Sequence, residues 1–565
     1  MPNARLLIGP LLRRVVDTRA TVWVETSAPA VVQVRTPDGA GGQATTFTAF
    51  DHHYALVVVE GLAPGAATPY EVLIDDEPAW PLPGDSFPPS VIQTRPADDR
   101  DHPVRLLFGS CRETTQHATT RRLPPDALDA YARRMMAGGP RPDLLVLLGD
   151  QVYADITSRT VQKLLRRRRR RPRGAPRHEV VTYDEYTKLY LESWRDPEIR
   201  WLFSTVPSVM IFDDHEIIDD WNTSAAWRAD MREQPWWRER ITAGLASYWV
   251  YQHLGNLHPD EIATDPVYAK VVAAEDASSV LQEFAARVDS ESDVAHDTEE
   301  WRAAQYQWSY ALDIGRTRLV VLDNRCSRVL VPDNRAMLPP GEWAWFLDQA
   351  HGEYDHLVVG SSLPWLLPPG IHHLESWNER LNAANREWVV RISERVRRAV
   401  DLEHWAAFHQ SFEALATLFA RIGAGEPGSG NGRVGAGPAY EPPASISVLS
   451  GDVHHSYVAQ ARFPDDVVTP VHQLTCSPIH NQVPAAVRPL MRLGWWSGPS
   501  NAVRALARSA GLRRPVVRWR KKAGPYFGNA VSTLEHAGRS AEVTIEGTDK
   551  DGYLRTVAAV PLARG

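Results

Sequence analysis

The sequence contains little cysteine. Cys111, Cys326 and Cys476 are its only three cysteines among 565 residues. Their wide, unpatterned spacing cannot build a disulfide framework, and an odd number fits reduced thiols or a metal ligand better. We therefore expect the protein to work in a reducing compartment.

Long apolar runs are also missing. The N-terminus has no apolar stretch of signal-peptide length, and no other window approaches the length of a membrane span. The sequence therefore predicts a protein without a membrane span. We expect a cytoplasmic location, or secretion if a leader was removed.

No single sign of charge dominates the chain. Its formal net charge is -7 at pH 7, so the overall field gives no reason to expect nucleic acid or a membrane as the main partner. With 565 residues, 43% of them hydrophobic, the chain can bury a large core and should divide into more than one domain.

The first 97 residues have the pattern of a small all-β domain. "RATVWVET" and "AVVQVRT" are β-branched runs separated by proline and glycine turns. "VVVEGLAPGAATPYEV" resembles the corner between two late strands of fibronectin type III modules, with Tyr70 in the place of the corner tyrosine. The polar, proline-bounded "PADDRDHP" at 96–103 places the boundary between a domain 1–97 and a domain 98–565.

Beyond residue 97 the pattern changes to apolar strands that alternate with helical stretches. Fully apolar runs are typical of strands covered on both faces, so an α/β domain is predicted. The runs are "VRLLFGSC", "DLLVLLGD", "SVMIFDDHE", "RLVVLDNR", "DHLVVGSSLPW", "SISVLSGDVHH" and "VHQLTCSP".

At least four of these runs end in residues that bind metals or move protons. Because ligands of α/β sheets gather at the carboxyl ends of strands, we expect these ends to converge. Taken singly, each residue also has a structural explanation: a buried cysteine, a helix cap, a core aromatic or an acidic helix start. The four sets are Cys111; Asp150 with Tyr153; "DDHE" at 213–216; and Asp452 with His454 and His455.

The chemistry of these donors is coherent. Carboxylates and a phenolate are hard oxygen ligands, imidazole is borderline and the thiolate is soft, which suits a transition metal beside a second, hard cation. Enzymes that catalyse nucleophilic displacement at phosphorus commonly use two metal ions about 3.5 to 4 Å apart. Asp150 can bridge such a pair, because its two oxygens can bind different ions.

The ordered motifs resemble a known family. "GDQVYAD" at 149–155 resembles the Gly-Asp-x-x-Tyr signature of purple acid phosphatases, and "GDVH" at 451–454 resembles the closing Gly-His-x-His of metallophosphoesterases. The set "FGSC", "GDQVYAD", "FDDHE", "LDNR", "SSLPW" and "SGDVHH", behind a small β domain, is similar to the PhoD-like (alkaline phosphatase D) family of that superfamily. The similarity runs from Leu7 to about Pro484.

The resemblance implies a four-layer α/β/β/α metallophosphoesterase domain preceded by a fibronectin type III-like sandwich. It implies hydrolysis of phosphate monoesters, diesters or both, by in-line attack of a metal-bound hydroxide on a small phosphate-ester substrate. Fe³⁺ and Ca²⁺ are the implied cofactors, with other divalent metals as alternatives. The sequence leaves the oligomeric state open.

Residue by residue, the resemblance makes Asp150 the bridging ligand and places Tyr153 and Cys111 on the ferric ion. His215 would face the substrate as a general acid or transition-state donor. The predicted metal ligands are Cys111, Asp150, Tyr153, Asp213, Asp214, Asp452 and His454; the predicted catalytic residues are His215 and Arg112; the predicted substrate-binding residues are Asn222 and His455.

The chain departs from the superfamily pattern at several points. Ser110 and Cys111 replace the opening Asp-x-His, and Gly360 to Ser362 stand where a lone histidine usually follows an intermediate strand. His372, His373 or His409 could supply that ligand, although a surface or core role is the alternative for each. Asp219 and Asp220 would make the second cation site more acidic.

Two basic segments allow other functions. Arg166 to Arg177 is predicted to be a solvated insertion loop, about 160–180, because like charges repel; the alternative is a mobile lid that attracts phosphate-rich substrates. Arg504 to Pro525 is basic as well, and the two patches would flank one cleft. A nucleic-acid-directed phosphodiesterase and a non-catalytic binding protein with a degenerate phosphatase domain are therefore kept as alternatives.

Overall fold

The computed structural model of the protein describes most of the chain. The described residues are 3–84, 86–99, 102–119, 122–167, 171–291, 305–331, 334–383, 386–426, 441–463 and 467–564.

The N-terminal region is an antiparallel sandwich of two four-stranded sheets and one two-stranded ribbon. One sheet has the order β1-β2-β6-β5, the other has the order β4-β3-β8-β9, and β7 pairs with β10. Alternate residues such as Leu12, Val57 and Val72 fill the core between the two sheets. The strands are β1 (Leu6–Val16), β2 (Arg19–Thr26), β3 (Val31–Arg35), β4 (Gly41–Thr45), β5 (Phe47–Ala49), β6 (His52–Val59), β7 (Ala67–Pro69), β8 (Glu71–Ile74), β9 (Glu77–Trp80) and β10 (Val91–Gln93).

Tyr70 differs from a corner tyrosine in its partner. Its hydroxyl donates a hydrogen bond to the backbone oxygen of Ser204, 2.6 Å away and well outside the sandwich, whereas a corner tyrosine bonds the backbone a few residues upstream. The all-β character of this region is confirmed. The division of the chain at residue 97 stays a prediction.

Two larger sheets follow. The first has the order β13-β12-β11-β21-β22-β23, with β11, β12 and β13 parallel and the remaining pairs antiparallel. The second has the order β14-β15-β16-β17-β19-β18-β20, with β15, β16, β17 and β19 parallel. The strands are β11 (Val104–Gly109), β12 (Leu144–Leu148), β13 (Ser208–Ile211), β14 (Tyr310–Ile314), β15 (Thr317–Leu322), β16 (His356–Ser361), β17 (Ser445–Ser450), β18 (Ser456–Arg462), β19 (Val471–Thr475), β20 (Arg518–Tyr526), β21 (Ala530–Ala537), β22 (Ser540–Thr548) and β23 (Leu554–Ala563).

Helices occupy the connections between these strands. The α-helices are Ala127–Met136, Arg159–Arg167, Tyr183–Trp194, Pro197–Thr205, Ala225–Arg232, Trp237–Tyr248, Pro259–Ile262, Tyr268–Ala273, Ser278–Glu291, Pro340–Gln349, Pro369–Asn382, Glu387–Ala399, His409–Gly423, Arg488–Leu493 and Ser497–Ser509. Short 3₁₀ turns lie at Asp214–Glu216, Leu254–Asn256 and Trp405–Ala407, and a π-helical turn lies at Trp249–His253. Among the described residues, no helix is both long and apolar enough to cross a membrane.

The two large sheets pack face to face and are covered by helices on their outer sides. Leu106 of β11 and Leu319 of β15 belong to the core between the sheets. Their neighbours Leu107 and Val320 point the other way, into the separate cores beneath the two helical layers. Side chains that alternate between two buried faces explain the fully apolar runs. The predicted four-layer α/β/β/α arrangement is confirmed.

The first basic segment is more ordered than predicted. Its first residues continue the helix Arg159–Arg167, while 168–170 lie outside the described residues. Arg171 is paired with Glu185, at 2.9 Å between Nε and Oε1, and both side chains are largely removed from water. The prediction of a solvated loop is therefore wrong at Arg166 and Arg167, which are exposed but helical, and at Arg171, which has a buried carboxylate partner.

Candidate metal centre

The predicted donor residues lie directly after parallel strands of both sheets. Cys111 follows β11, Asp150 follows β12, Asp213 and Asp214 follow β13, and Asp452 follows β17. Because the carboxyl ends of these strands meet between the sheets, side chains distant in sequence come together. The predicted convergence of the four strand ends is thus present in the structure.

Two glycines allow the strand ends to approach one another. A Cβ at Gly149 would lie 2.6 Å from the Cβ of Asp213, and a Cβ at Gly451 would lie 2.0 Å from the Oγ of Ser110. Real Cβ atoms do not make contacts this short, so a side chain at either position would push the neighbouring strand end away. The glycine in each Gly-Asp pair is therefore a packing requirement of the site.

The backbone after three of these strands adopts a left-handed conformation. Cys111, Asp150, Asp452 and His454 have φ angles of 60°, 56°, 64° and 48°. Such conformations are uncommon for residues other than glycine and cost of order 1–3 kcal/mol each, so they persist where surrounding contacts fix them. Their concentration in four predicted ligands indicates that the turns aim these side chains at one point.

The donor atoms form three adjoining groups of three. Within each group, one potential ligand atom from every residue lies within 4.8 Å of the others. Asp150 belongs to the first two groups and Asp214 to the last two, so the groups form a continuous array. The groups are Cys111 with Asp150 and His454, Asp150 with Asp214 and His215, and Asp213 with Asp214 and Asp452.

Tyr153 completes the first group. Its hydroxyl lies 3.2 Å from Asp150 Oδ2 and 3.5 Å from His454 Nε2, and it accepts a hydrogen bond from Asn481 Nδ2 at 2.9 Å. The Cys111 sulfur lies 3.1 Å from Ser110 Oγ and is almost fully buried. A thiol, a phenol, a carboxylate and an imidazole therefore face one another in a closed space.

The ionisation of these groups fits a bound cation. Burial raises the pKa of Asp150 well above its ordinary value, and the nearby charges of Asp213 and Asp214 raise it further. Burial and the charge of Asp150 likewise raise the pKa values of Cys111 and Tyr153. A cation among them would reverse these shifts by compensating the negative charge.

The hydrogen bonding of Asp150 also fits a metal ligand. Its Oδ1 atom is buried and has no hydrogen-bond partner within the described residues. A buried carboxylate oxygen without a partner is unfavourable unless a cation or water satisfies it. The thiol and phenol near it suit a transition metal, and the carboxylates shared with the second group suit a hard cation.

The third group differs, because an arginine lies among its carboxylates. The buried Arg325 donates from Nε to Asp213 Oδ1, and its Nη2 lies 3.5 Å from Asp214 Oδ1 and 3.7 Å from Asp452 Oδ1. The same Nη2 is 2.5 Å from Glu403 Oε1. A guanidinium already supplies the positive charge here, so the contacts favour the first two groups as the cation sites and favour Asp213 as a partner of Arg325.

Asp452 is held by a second cationic partner. His404 Nε2 lies 2.9 Å from Asp452 Oδ2, while His404 Nδ1 lies 2.8 Å from Glu375 Oε1. Burial alone would raise the pKa of Asp452, but the hydrogen bond and charge of His404 and the charge of Arg325 lower it below its ordinary value. Asp452 is therefore a carboxylate kept ionised by protein groups.

His215 is oriented by Asp155. Its Nδ1 lies 2.9 Å from Asp155 Oδ2, and its ring stacks on the Tyr153 ring with centroids 4.4 Å apart. Burial would lower the pKa of His215, but the charges of Asp155 and Asp150 raise it well above the ordinary value. With Nδ1 engaged by Asp155, Nε2 is the ring nitrogen available to a substrate or a cation.

Glu216 fixes the loops that carry the ligands. Its carboxylate accepts hydrogen bonds from the backbone nitrogens of Asp150, Gln151 and Asp213, at 3.1, 2.9 and 2.8 Å. The last residue of "DDHE" therefore ties the turn after β12 to the turn after β13. This positioning role was not predicted from the motif.

Two of the predicted functional residues, Arg112 and Asn222, form hydrogen bonds outside the donor groups. Arg112 donates to Asp126 Oδ2 at 2.8 Å and to Ser193, both buried, and Asn222 donates to the backbone oxygen of Arg325 and accepts from Arg228. Arg112 Nε and Nη1 and the Asn222 amide are engaged by the protein itself, so neither predicted role gains support from these contacts.

His455 also lies apart from the donor groups. Its Nδ1 lies 2.7 Å from the backbone oxygen of Val453, and its ring stacks on Tyr457 and Phe527. Asp219 and Asp220 belong to no donor group among the described residues, although Asp219 Oδ1 is 3.7 Å from His215 Nε2. None of the three histidines predicted as alternatives belongs to a donor group among the described residues; His372, for example, packs against Phe412 and Trp519.

Sequence reasoning missed Asp155, Arg325, Glu403, His404 and Glu375 as parts of the site. Asp155 and Arg325 stand in motifs that follow strands, "GDQVYAD" and "LDNR", so their positions carried a usable signal. Glu403 and His404 come from the loop after the helix Glu387–Ala399, and Glu375 comes from a helix. No strand end marks these three residues in the sequence.

Fold and site together define a class of protein. Two packed sheets between helical layers, with a shared carboxylate and two adjoining donor groups at the strand ends, are features that suit a phosphoric ester hydrolase.

Comparison with known proteins refines this class. Residues 108–272 match the family of PhoD-like phosphatases, and residues 3–92 match a domain of unknown function, DUF7800. The structure of PhoD is 12% identical with a TM-score of 0.55, covering 99% of this chain and 93% of that one. The purple acid phosphatase PPD1 from yellow lupin (Lupinus luteus) seeds is 8% identical with a TM-score of 0.48, covering 99% of this chain and 74% of that one. No curated protein matches the chain.

The predicted kinship with PhoD-like phosphatases is confirmed over residues 108–272. At 12% identity the likeness to PhoD establishes the fold.

Proposed function

We propose that this protein hydrolyses small phosphate monoesters, diesters or both at a centre that holds two cations around Asp150. The observation that carries the proposal is that Asp150 belongs to two adjoining groups of three donors and has a buried oxygen without a partner within the described residues. A carboxylate shared in this way is what a two-cation centre requires.

The first cation would be held by Cys111, Asp150, Tyr153 and His454, and the second by Asp150 and Asp214. A thiolate and a phenolate favour a ferric ion in the first position, and carboxylates favour calcium in the second. When bound, such cations supply Lewis-acid stabilisation of a phosphoryl transition state and lower the pKa of water.

His215 would act on the substrate side of this centre. Asp155 holds its Nδ1 and stabilises the protonated ring, in the way that a carboxylate orients a catalytic histidine. The protonated Nε2 can then donate to a phosphate oxygen or to the departing alcohol or phenol. Tyr153 stacks on the ring and so limits its rotation.

The surrounding charges would keep the centre in one arrangement. Arg325 and His404 would hold Asp213 and Asp452 in fixed positions, and they lower the pKa of Asp452, so that the turn after β17 presents His454. Their buried hydrogen bonds provide the support that metal ligands usually need.

The test is hydrolysis of p-nitrophenyl phosphate and bis(p-nitrophenyl) phosphate by the purified chain, with elemental analysis of the same sample. We expect two cations per chain, loss of activity with a chelator, and recovery with iron and calcium together. Activity that survives complete metal removal would overturn the proposal. Faster cleavage of polynucleotide than of either ester would favour a nuclease, and metal binding without any hydrolysis would favour a binding protein.

A further inference from the structure

The second basic segment of the sequence, which contains Arg504 to Pro525, supplies none of the donor groups of the metal centre. Between residues 467 and 534 the sequence contains eight arginines and two lysines but no aspartate or glutamate. These 68 residues therefore carry a net positive charge, whereas the whole chain carries a net negative charge. Part of this segment, the helix Ser497–Ser509 and the turn after it, contacts the helix Pro369–Asn382.

A small basic pocket opens where these two helices meet. We call it the His/Arg pocket. Arg504 and Arg508 are one turn apart on their helix and therefore share a face. The polar residues that line the pocket are His372, His373 and Ser376 from one helix, His409 from the start of another, and Arg504, Arg508, Arg513 and Arg514.

His372 brings an unsatisfied polar side chain to the pocket. Its side chain is 1% exposed and lines the pocket, in contact with the rings of Phe412 and Trp519. Neither ring nitrogen has a hydrogen-bond partner within the described residues. A buried polar group without a partner is costly, so a ligand or water is expected to satisfy it.

Among the described residues, no carboxylate pairs with the arginines of the pocket. Within the described part of the chain, Arg504, Arg508, Arg513 and Arg514 form no ion pair, and Arg504 bonds only to Asn501. Glu413, on a neighbouring helix, instead accepts a hydrogen bond from the backbone of Val516. The positive charge of the pocket is therefore available to a ligand.

The pKa values of Arg508 and His373 reflect the positive charge of the pocket. The charges of Arg514 and Arg504 lower the pKa of Arg508. Burial, followed by the charges of Arg504 and Arg508, lowers the pKa of His373 to about 4. Neutral histidines keep one N–H each, so they remain hydrogen-bond donors to an anion.

The N-terminus of a helix adds to the positive potential at the pocket. The helix His409–Gly423 begins at His409, a pocket residue, and no side chain caps its N-terminus. The first backbone N–H groups of a 15-residue helix carry partial positive charge and favour an anion nearby.

We propose that the His/Arg pocket binds a phosphate group, either free phosphate or the phosphate of an anionic lipid headgroup. Guanidinium groups match phosphate oxygens geometrically, and several uncompensated arginines call for a ligand with more than one negative charge. This binding is separate from hydrolysis at the metal centre and does not require the proposed function.

Hydrogen–deuterium exchange with inorganic phosphate tests the pocket separately from the metal centre. We expect phosphate to protect peptides that cover 369–382 and 497–517. Because Arg508 and Arg514 are exposed and outside any ion pair within the described residues, R508Q/R514Q should fold normally and weaken phosphate binding by at least about tenfold. His372→Phe, which keeps a ring but loses its donors, should weaken it as well.

R518Q/R520Q is the matched control, since it removes two exposed charges from the nearby strand β20 outside the pocket. Phosphate protection should survive in this control. A second arm uses phosphatidylcholine vesicles with and without phosphatidic acid. Binding to the acidic vesicles that R508Q/R514Q removes identifies a headgroup ligand, and protection by phosphate alone identifies a soluble one. Protection by neither probe, or equal weakening in both double variants, would overturn the proposal.

Discussion

His404 links Glu375 to Asp452, with its two ring nitrogens 2.8 and 2.9 Å from their carboxylate oxygens. All three side chains are largely or fully removed from water, so the histidine is the positive element between two buried negative groups. The turn that carries Asp452 also carries His454, a member of the first donor group. The position of a proposed metal ligand thus depends on a residue from a distant loop.

His404→Ala should weaken metal binding and turnover by about 10- to 100-fold, the usual cost of removing a group that positions metal ligands. The variant should fold with reduced stability, because the buried Glu375 loses its cationic partner while Asp452 keeps Arg325. Metal content and kcat are measured on the same sample. His178→Ala, which changes an exposed histidine, is the control. Unchanged metal affinity in His404→Ala would contradict the positioning role.

Alanine substitutions of His215 and of Asp150 should affect metal content and turnover differently. His215→Ala is expected to lower turnover by roughly 10²- to 10⁴-fold, the range for a positioned acid or base, while metal content stays near that of the unchanged protein. Asp150→Ala should lose metal and activity together, because Asp150 belongs to both proposed cation sites. The loss in His215→Ala should be smallest for esters of acidic phenols, which need little protonation on departure. Equal metal loss in both variants would make His215 a ligand.

The parts of the site that follow strands could be predicted from the sequence. An apolar run that ends in Gly-Asp or Asp-Asp-His identifies both the strand and the group at its tip, and the structure places the predicted Asp150, Asp214 and His454 in adjoining donor groups. The α/β class followed from runs buried on both faces, whereas the four-layer arrangement was implied only by the resemblance to a known family.

The supporting residues could not be found in this way. Glu375 lies on a helix, and His404 lies in a loop, where no apolar run marks the position. The direction of a side chain is also absent from the sequence: Arg112 is next to Cys111 in the chain, yet it bonds Asp126. Arg171 was placed in a solvated run because its buried partner, Glu185, is 14 residues away.

Tyr153→Phe tests the identity of the first cation. If a ferric ion is bound there, phenolate or thiolate charge transfer should give a visible absorption band. The variant should shift or remove the band and retain the fold, because the ring that stacks on His215 is kept. A colourless protein with a full metal complement, whose activity is unchanged by Tyr153→Phe, would contradict the assignment of iron.

Arg171→Gln should destabilise the protein. Glu185, its partner, also forms the capping box at the start of the helix Tyr183–Trp194 and is 1% exposed. Loss of the guanidinium leaves that carboxylate buried without its cation, which should lower the free energy of unfolding by about 1–3 kcal/mol. Arg173→Gln, at an exposed position of the same run, should change it by less than about 0.5 kcal/mol. Equal urea midpoints of unfolding for the two variants would contradict a stabilising role of the Arg171–Glu185 pair and would favour the predicted solvated loop.

Arg13 should be among the residues on which the stability of the whole chain depends. It projects from β1 of the N-terminal sandwich, yet its side chain is fully buried and donates to the backbone oxygens of Ser208, Tyr251 and Gln252 at 3.0, 3.0 and 2.7 Å. It also donates to Asn256 Oδ1 at 3.1 Å. Ser208 opens β13, the strand that precedes the "DDHE" motif.

Arg13→Leu removes the Arg13 donor from the three backbone oxygens and keeps the position apolar. Asn256 Oδ1 still accepts a hydrogen bond from the backbone nitrogen of Met210 at 3.0 Å, so the cost falls on the backbone oxygens. Because each buried acceptor without a partner costs about 1–3 kcal/mol, we expect the free energy of unfolding to fall by at least about 3 kcal/mol. The loss should appear in one transition that affects the sandwich and the α/β domain together. Arg19→Leu is the matched control, since its ion pair with the exposed Asp260 is worth less than about 1 kcal/mol. A separate, early transition of residues 1–97 in Arg13→Leu, with the activity retained, would instead show that the sandwich is an independent attachment to the catalytic domain.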